Sequence, residues 1–380
     1  MTLIDRYLLQ NFIKSALIFF VTFCGLFTVI DAFGNLEEFI NEGQRSGGFL
    51  AVLGKYYGVR SLVVFDRTSG VIMLVAAMFT LTSLERHNEL TALMAAGISR
   101  GRLAKPLIIG VLLLTVVVVA NREIVIPYFR DHLSMTAQDF SGSKGQPVTA
   151  RYDHETNVYI SGRSAFLADS RVMKPQFRMP NNLARHGMQI SAAEAFYHKA
   201  QTVDGVPRPA GYLLQDVSQP TELSSRESIY LDERPVLLVP GDTPWLEKDE
   251  CFLVTEVAVE QIAGKAWRKF ASTFEIIQAL RSPSTNFGPD VRVGVHSRII
   301  APLSDLTLLF LGLPLVLSRE SRNIFVAIGM CLGVVLGFFC VVILCQWLGN
   351  NCLITPAAAA WTPLAIFVPL AVLLSQPLRE

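Results

Sequence analysis

Charged residues are scarce in this chain: 33 Lys and Arg with 32 Asp and Glu make 17% of 380 residues, against about 25% in an ordinary soluble domain. The near balance, net +1, leaves no global basic field and argues against a nucleic-acid partner. The six cysteines form no disulfide framework. Cys24, Cys331, Cys340 and Cys345 fall inside apolar runs, where Cys behaves as a small hydrophobe. Cys352 lies just past one such run, and only Cys251 sits in polar sequence. None has metal-site spacing. The six histidines are scattered, and neither a Gly-x-Ser-x-Gly elbow nor a His-Glu-x-x-His motif occurs. Gly48-Phe-Leu-Ala-Val-Leu-Gly54-Lys55 misses a phosphate-binding loop, with five residues between its glycines and Tyr56 after the lysine; the motif needs four, then Ser or Thr. These absences argue against an enzyme and against a metal or cofactor bound directly.

What is present is apolar sequence. A membrane-spanning helix needs about 20 mostly apolar residues. Six runs qualify: Ser15–Ile30; Val71–Leu84, extended toward Leu62 across Asp66 and Arg67; Leu103–Ala120; Ile299–Leu317; Ile324–Trp347; and Ala357–Ser375. The small residues at Ala32-Phe33-Gly34 resemble a signal-peptide cleavage site, but further spans follow, and the first is read as a retained anchor. Six spans put both termini on one side. Arg6, Lys14, Arg86, Arg100, Arg102, Lys105, Arg319, Arg322 and Arg379 flank that side, which makes it cytoplasmic by the positive-inside rule.

Between Lys144 and Arg298 the chain is as polar as a soluble protein. Asn157–Phe166, Arg171–Phe177, Met188–His198, Gly211–Val217, Ser228–Val239 and Cys251–Val259 are short runs rich in Val, Ile, Tyr and Phe, separated by Gly, Pro, Asn and Asp. Such punctuation predicts strands of a sandwich or jelly-roll. Ser272-Thr-Phe-Glu275 has the capping-box pattern that starts a helix. Phe274, Ile277 and Leu280 are then spaced as its apolar face, suited to the membrane surface. The expected fold is an α-helical membrane protein with about six transmembrane helices, three plus three, around an inserted periplasmic all-β jelly-roll-like domain. The expected domains are residues 1–140, 141–265 and 266–380. No sequence repeat relates the two groups of spans.

Between spans two and three, residues 84–97 predict a short amphipathic helix. Leu90, Leu93 and Met94 share one face, Glu85 and Glu89 sit one turn apart, and Gly97 is placed as a C-cap. Such a helix either joins two spans or docks into a cytoplasmic partner. Asn88-Glu-Leu-Thr-Ala-Leu-Met-Ala-Ala-Gly-Ile-Ser99, followed by Arg102-Leu103 and Pro106, resembles the segment after the second span of the LptF/LptG lipopolysaccharide-export permeases. Val295-His-Ser-Arg298-Ile-Ile-Ala-Pro302-Leu303, with Leu313-Pro314-Leu315 and Arg319, resembles the start of that family's fourth span. Asp5-Arg6-Tyr7-Leu8 resembles its N-terminus.

The resemblance implies a permease subunit, with a second LptF/LptG-like permease beside it and an LptB-like ATPase dimer below. ATP and Mg would then be bound by the ATPase. Residues 84–97 would be the coupling helix, with Glu85 and Glu89 facing basic groups. Spans one and five would gate toward the outer leaflet. The β domain would hand lipopolysaccharide to LptC/LptA-like jelly-roll bridge proteins. Arg60, Arg67, Arg122 and Arg130 are the candidate contacts for a phosphorylated headgroup. Asp66 and Arg67 equally suit an internal ion pair. Asp305, a carboxylate within a span, is a candidate polar site. The chain departs from the family in lacking prolines over Ser61–Gly70 and in being acidic after span one (Asp31, Glu37, Glu38). Three rival readings remain at this point. A lipoprotein-release permease would place its large domain after the first of four spans. A membrane-anchored lipid enzyme would need Asp66, Glu123, Asp131 and His132 assembled. An envelope scaffold would bind no ATPase.

Overall fold

In a bilayer the backbone has no water to bond, so an apolar run must close its hydrogen bonds within itself, as a helix does. A computed structural model of the chain has six helices long and apolar enough to cross a membrane: Leu3–Gly34, Phe49–Arg86, Gly101–Tyr128, Pro289–Pro314, Leu332–Asn350 and Pro356–Leu374. The structure describes residues 3–46, 48–134, 145–167, 169–184, 187–203, 206–220, 225–263, 266–284, 287–317 and 324–375. Arg319, Arg322 and Arg379 lie outside them. Contacts divide the chain into two units, Met1–Ile126 with Phe287–Glu380, and Pro127–Asn286.

The first unit is helical. It holds α1 (Leu3–Gly34), α2 (Leu36–Ser46), α3 (Phe49–Arg86), α4 (Glu89–Ala95) and α5 (Arg100–Ala120). A π-helical turn, Asn121–Val125, leads into α6 (Ile126–Tyr128). Two helices start well before their apolar runs, α1 at Leu3 rather than Ser15 and α3 at Phe49 rather than Leu62. The extensions are polar on one side only. Leu8 and Phe12 are fully buried and Tyr57 nearly so, which holds each extension against its neighbours.

The second unit opens with α7 (Arg130–Ser134) and continues as strands: β1 (Gln146–Pro147), β2 (Arg151–Asp153), β3 (Val158–Ser161), β4 (Ser164–Phe166), β5 (Arg171–Met173), β6 (Gln176–Arg178), β7 (Gln189–His198), β8 (Gln201–Val203), β9 (Val206–Arg208), β10 (Gly211–Gln219), β11 (Ile229–Leu231), β12 (Arg234–Leu238) and β13 (Cys251–Val254). It closes with α8 (Val259–Ile262), α9 (Ala266–Phe270) and α10 (Thr273–Arg281). The chain then returns to the first unit for α11 (Pro289–Leu317), α12 (Ile324–Asn350) and α13 (Pro356–Leu374).

In the helical unit α11 packs on α3, α5, α12 and α13, while α1 packs on α2, α3 and α5. Small residues let these backbones approach, as membrane helices require. Ala76 and Ala77 are fully buried in a core with Phe12, Ile72, Leu107 and Leu309. A Cβ on Gly110 would meet the Phe12 ring at 2.6 Å.

Every strand pairing in the second unit is antiparallel. The main sheet runs β1-β4-β5-β7-β10-β13-β12-β11. A branch, β6-β3-β2, leaves β7 beside β5. β7 serves both because it is ten residues long. Its first residues, Gln189–Ser191, pair with β6, and Glu194–Phe196 pair with β5. Of three runs expected as single strands, two are interrupted in line, β3-β4 lying against β6-β5 and both β5 and β6 along β7, and the third folds back as the β11-β12 hairpin. The breaks fall at Gly162-Arg163, at Lys174-Pro175 and at Asp232-Glu233. Asp232 and Glu233 have φ of 47° and 67°, the positive values that a tight hairpin turn needs, while Lys174, at φ 47°, marks the irregularity between β5 and β6 along β7.

The core of this unit gathers Ile160, Phe177, Tyr212, Leu214, Leu237 and Leu253. Tyr212 is fully buried between the rings of Phe177 and Tyr197. Cys251 is an inert core residue, because burial pushes its thiol up to about 12. Asp153 is 1% exposed but satisfied, accepting from the Glu155 amide at 2.9 Å and the Thr255 hydroxyl at 2.7 Å. The capping box forms: Ser272 Oγ accepts from the Glu275 amide at 3.1 Å and Glu275 Oε2 from the Ser272 amide at 2.9 Å. Ile276 and Ala279 form the buried side of α10, while Phe274, on the face expected at the membrane surface, is 72% exposed. The cap sets where the helix begins. Glu275, bound to Arg130 at 3.5 Å, helps set its rotation.

A polar latch joins β11 to the chain after β12. The Ser228 hydroxyl donates to Asp242, the Ser228 amide donates to the same carboxylate at 2.9 Å, and the hydroxyl accepts from the Val239 amide at 3.0 Å. Partial desolvation pushes the Asp242 carboxyl up, but the donors of Ser228 and Thr243 outweigh it and hold the carboxyl below its ordinary value. This contribution is therefore full above the ordinary carboxylate range and is lost as pH falls through the lowered value. Ser228→Ala orphans a buried amide, and is expected to cost about 1–3 kcal/mol. Thermal unfolding of wild type and variant across acid pH checks both points: the gap should narrow as pH falls.

Candidate functional site

Two places in the helical unit concentrate chemistry. The first is α4. Chain direction changes sharply at His87-Asn88, where Asn88 takes φ 59°. Asn tolerates that left-handed region better than most residues. The expected single helix is therefore divided. Glu85 lies in the last turn of α3, and Glu89 opens α4. At the other end Gly97 takes φ 80°. Its amide donates to the Met94 carbonyl at 3.0 Å, and the Ile98 amide donates to the Leu93 carbonyl at 3.1 Å. This is the Schellman closure that a glycine after a helix permits.

The apolar stripe of α4 faces the chain's own bundle. Leu90 and Leu93 pack with Ile4 and Ile98 around buried Leu8, Leu84 and Leu103, and Met94 is half-buried. The exposed face carries Thr91, Ala92, Ala95, Ala96 and Gly97, flanked by Glu85 and Arg86. The physical reason is that α4 covers the ends of α1, α3 and α5, whose apolar side chains take up its leucines. Glu89 is held from α1, accepting from the Tyr7 hydroxyl at 3.0 Å. Tyr7 was legible only through the N-terminal resemblance, since 82 residues separate it from Glu89.

The second place is a cleft of about 260 Å³ among α3, the π turn, α11, α12 and α13. The π turn carries Arg122 into it, as such turns often re-aim functional side chains. Arg122 Nε meets Asp66 Oδ1 at 2.7 Å, and Nη1 donates to the Arg298 carbonyl at 3.4 Å. The neighbouring Asn121 amide group donates to the Leu62 carbonyl at 2.9 Å. Asp66 thus pairs with Arg122, not with its neighbour Arg67, which is exposed and also lines the cleft. Asp305 lies deeper, its carboxylate occupying the space that a side chain at Gly70 would fill. Ser297, Ser304 and Gln346 line the same cleft. Sequence reasoning missed these three, which carry no local signal. Gly70 was a usable one, a glycine marking close approach inside a span.

Of the four arginines expected as headgroup contacts, two, Arg67 and Arg122, line this cleft. The Arg60 guanidinium stacks over the Tyr56 ring at 4.3 Å. Arg130 belongs to the other unit, bound to Glu275. Among the described residues, no group of three His, Cys, Asp or Glu side chains is arranged to hold a metal.

Six apolar helices interrupted by an antiparallel β unit define a multi-pass membrane protein. Residues 6–163 and 229–376 match the profile of the lipopolysaccharide export system permease LptF/LptG family. The match spans most of the chain, and the chain belongs to that family of transport permeases, which are not enzymes. Comparison with curated proteins finds no match.

Proposed function

We propose that the chain is one permease subunit of an ABC transporter that extracts lipopolysaccharide, or a related glycolipid, from the inner membrane and passes it to a periplasmic bridge. Its partners are an LptB-like ATPase dimer, which binds ATP and Mg, a second LptF/LptG-like permease, and LptC/LptA-like jelly-roll proteins. Both termini and α4 are cytoplasmic in this reading, and the β unit is periplasmic.

The observation that carries the proposal is the anchoring of α4. A coupling element must present one face to a motor and be fastened to the spans by the other. The exposed small-residue face and the half-buried leucines packed on Leu8, Leu84 and Leu103 meet both needs. Glu85 and Glu89 give that face an acidic edge, which would fix register against basic groups more than it adds affinity. Apolar side chains along α1 (Leu17, Val21, Leu26, Ile30) and along α12 (Leu332, Leu336, Ile343) are exposed, as gates toward lipid require. Extracting a multi-acyl lipid costs about 0.8 kcal/mol per buried CH₂, so ATP-driven closure must supply the work. The permease needs a shaped cavity rather than reactive groups.

Affinity purification of the tagged chain from solubilised native membranes tests this reading. Wild type is expected to retain an ATPase subunit and a second six-span permease, and Glu89→Lys to lose the ATPase. Tyr7→Phe removes only the internal hydrogen bond and is expected to keep it. Absence of any ATPase from the wild-type preparation, under conditions that preserve other ABC complexes, would overturn the proposal.

A further inference from the structure

The geometry points to the cleft between α3, α11 and α12 as a binding site for a zwitterionic phosphoethanolamine group, carried by a membrane phospholipid or by a decorated glycolipid. Four of the side chains lining it are charged: Asp66, Arg67, Arg122 and Asp305. Two of these neutralise each other, Arg122 on Asp66 at 2.7 Å. The remaining pair is one cation and one anion, kept apart. Arg67 is exposed at the mouth. Asp305 lies at the level of Gly70, about 4.5 Å further along α3 at 1.5 Å per residue. Asp305 has no hydrogen-bond partner among the described residues. A carboxylate in an apolar bundle needs one.

A phosphate and an ammonium joined by two carbons fit that pattern. The phosphate sits at Arg67, with the ammonium donating to Asp305 and to the hydroxyl of Ser304, which also lines the cleft. The site excludes bulk at its floor, where only the absence of a side chain on Gly70 leaves room for the carboxylate. A simple anion fits poorly, because Asp305 would face it. A simple amine fits poorly, because Arg67 would. The site lies within this chain alone and needs no second permease, so it stands apart from the export reading.

The test uses the full-length chain purified in detergent and native mass spectrometry. Protein is offered equimolar phosphatidylethanolamine and phosphatidylglycerol in mixed micelles. In a second arm it is offered one glycolipid with and without a phosphoethanolamine substituent. Wild type is expected to retain the amine-bearing lipid by about tenfold in at least one arm, and that arm names the source. Asp305→Asn and Arg67→Gln are each expected to abolish the preference while eluting as wild type on size exclusion. Equal retention of the two lipids by wild type in both arms would overturn the proposal. So would a preference that survives Asp305→Asn, which would leave the cleft a water-filled polar pocket. Neither result bears on ATPase retention, so the two readings fail separately.

Discussion

Gly211→Val is expected to unfold the β unit while the helical unit still inserts. Gly211 opens β10 and pairs with Val254 of β13. A Cβ there would collide with the main-chain carbonyl of Leu253 and meet the Phe252 ring at 2.7 Å. A flexible side chain could move aside, but a ladder carbonyl moves only by breaking the pairings of Tyr212 with Leu253 and of Leu213 with Phe252. Those pairings border the buried Tyr212. Overpacking usually costs 1–3 kcal/mol, and a backbone collision belongs at or beyond the top of that range, at about 3 kcal/mol or more. Limited proteolysis of the solubilised protein is the check. Cleavage should concentrate between residues 145 and 284 in the variant; a wild-type pattern would refute the expectation.

The second large effect lies in the cleft. Arg122 and Asp66 are only 16% and 18% exposed, so breaking their pair leaves a charge largely cut off from water. Arg122→Met is expected to cost about 3–5 kcal/mol, the range for an orphaned buried charge. The double variant Asp66→Asn, Arg122→Met removes both charges and is expected to recover much of that loss, because the residues are coupled. A thermal unfolding cycle in detergent measures it. Additive losses would mean that the pair is not the source of the effect.

The bundle was largely legible because the bilayer imposes a length and a composition that few other structures share. Its helix ends were not. Leu8, Phe12 and Tyr57 lie in polar surroundings and are buried only by packing of distant helices. The strands were placed well where a run was long, as for β7 and β10. They were mistaken where a hairpin hides inside an apolar run, as at Asp232-Glu233, because charged residues at positive φ give weak local signals. The two stretches that match the family leave out residues 164–228, which hold β7, the strand from which the sheet branches.

At the cleft, local pattern favoured Asp66 with Arg67, next in sequence. The true partner is 56 residues away on a π turn, an arrangement that no periodicity reports. For α4 the periodicity found the apolar stripe but could not say whether it faces a partner or its own bundle. The positions of Ile4, Leu8 and Leu103 decide that, and they are tertiary facts.

The grip of Tyr7 and Leu8 on α4 makes α1 a lever arm with its load far from its fulcrum. About 39 Å of unbroken helix separates Tyr7 from Phe33 at 1.5 Å per residue. A tilt of about 5° at the root would swing Phe33 sideways by about 3 Å over that length. Near its far end α1 is tied to α3 by the Tyr57 hydroxyl, which donates to Asp31 at 2.8 Å, and by the Phe27–Tyr57 ring contact, so α3 would share the swing. Small strokes at α4, limited to what a short element between two left-handed pivots can make, would thus arrive at the far end as displacements comparable to the width of an acyl chain.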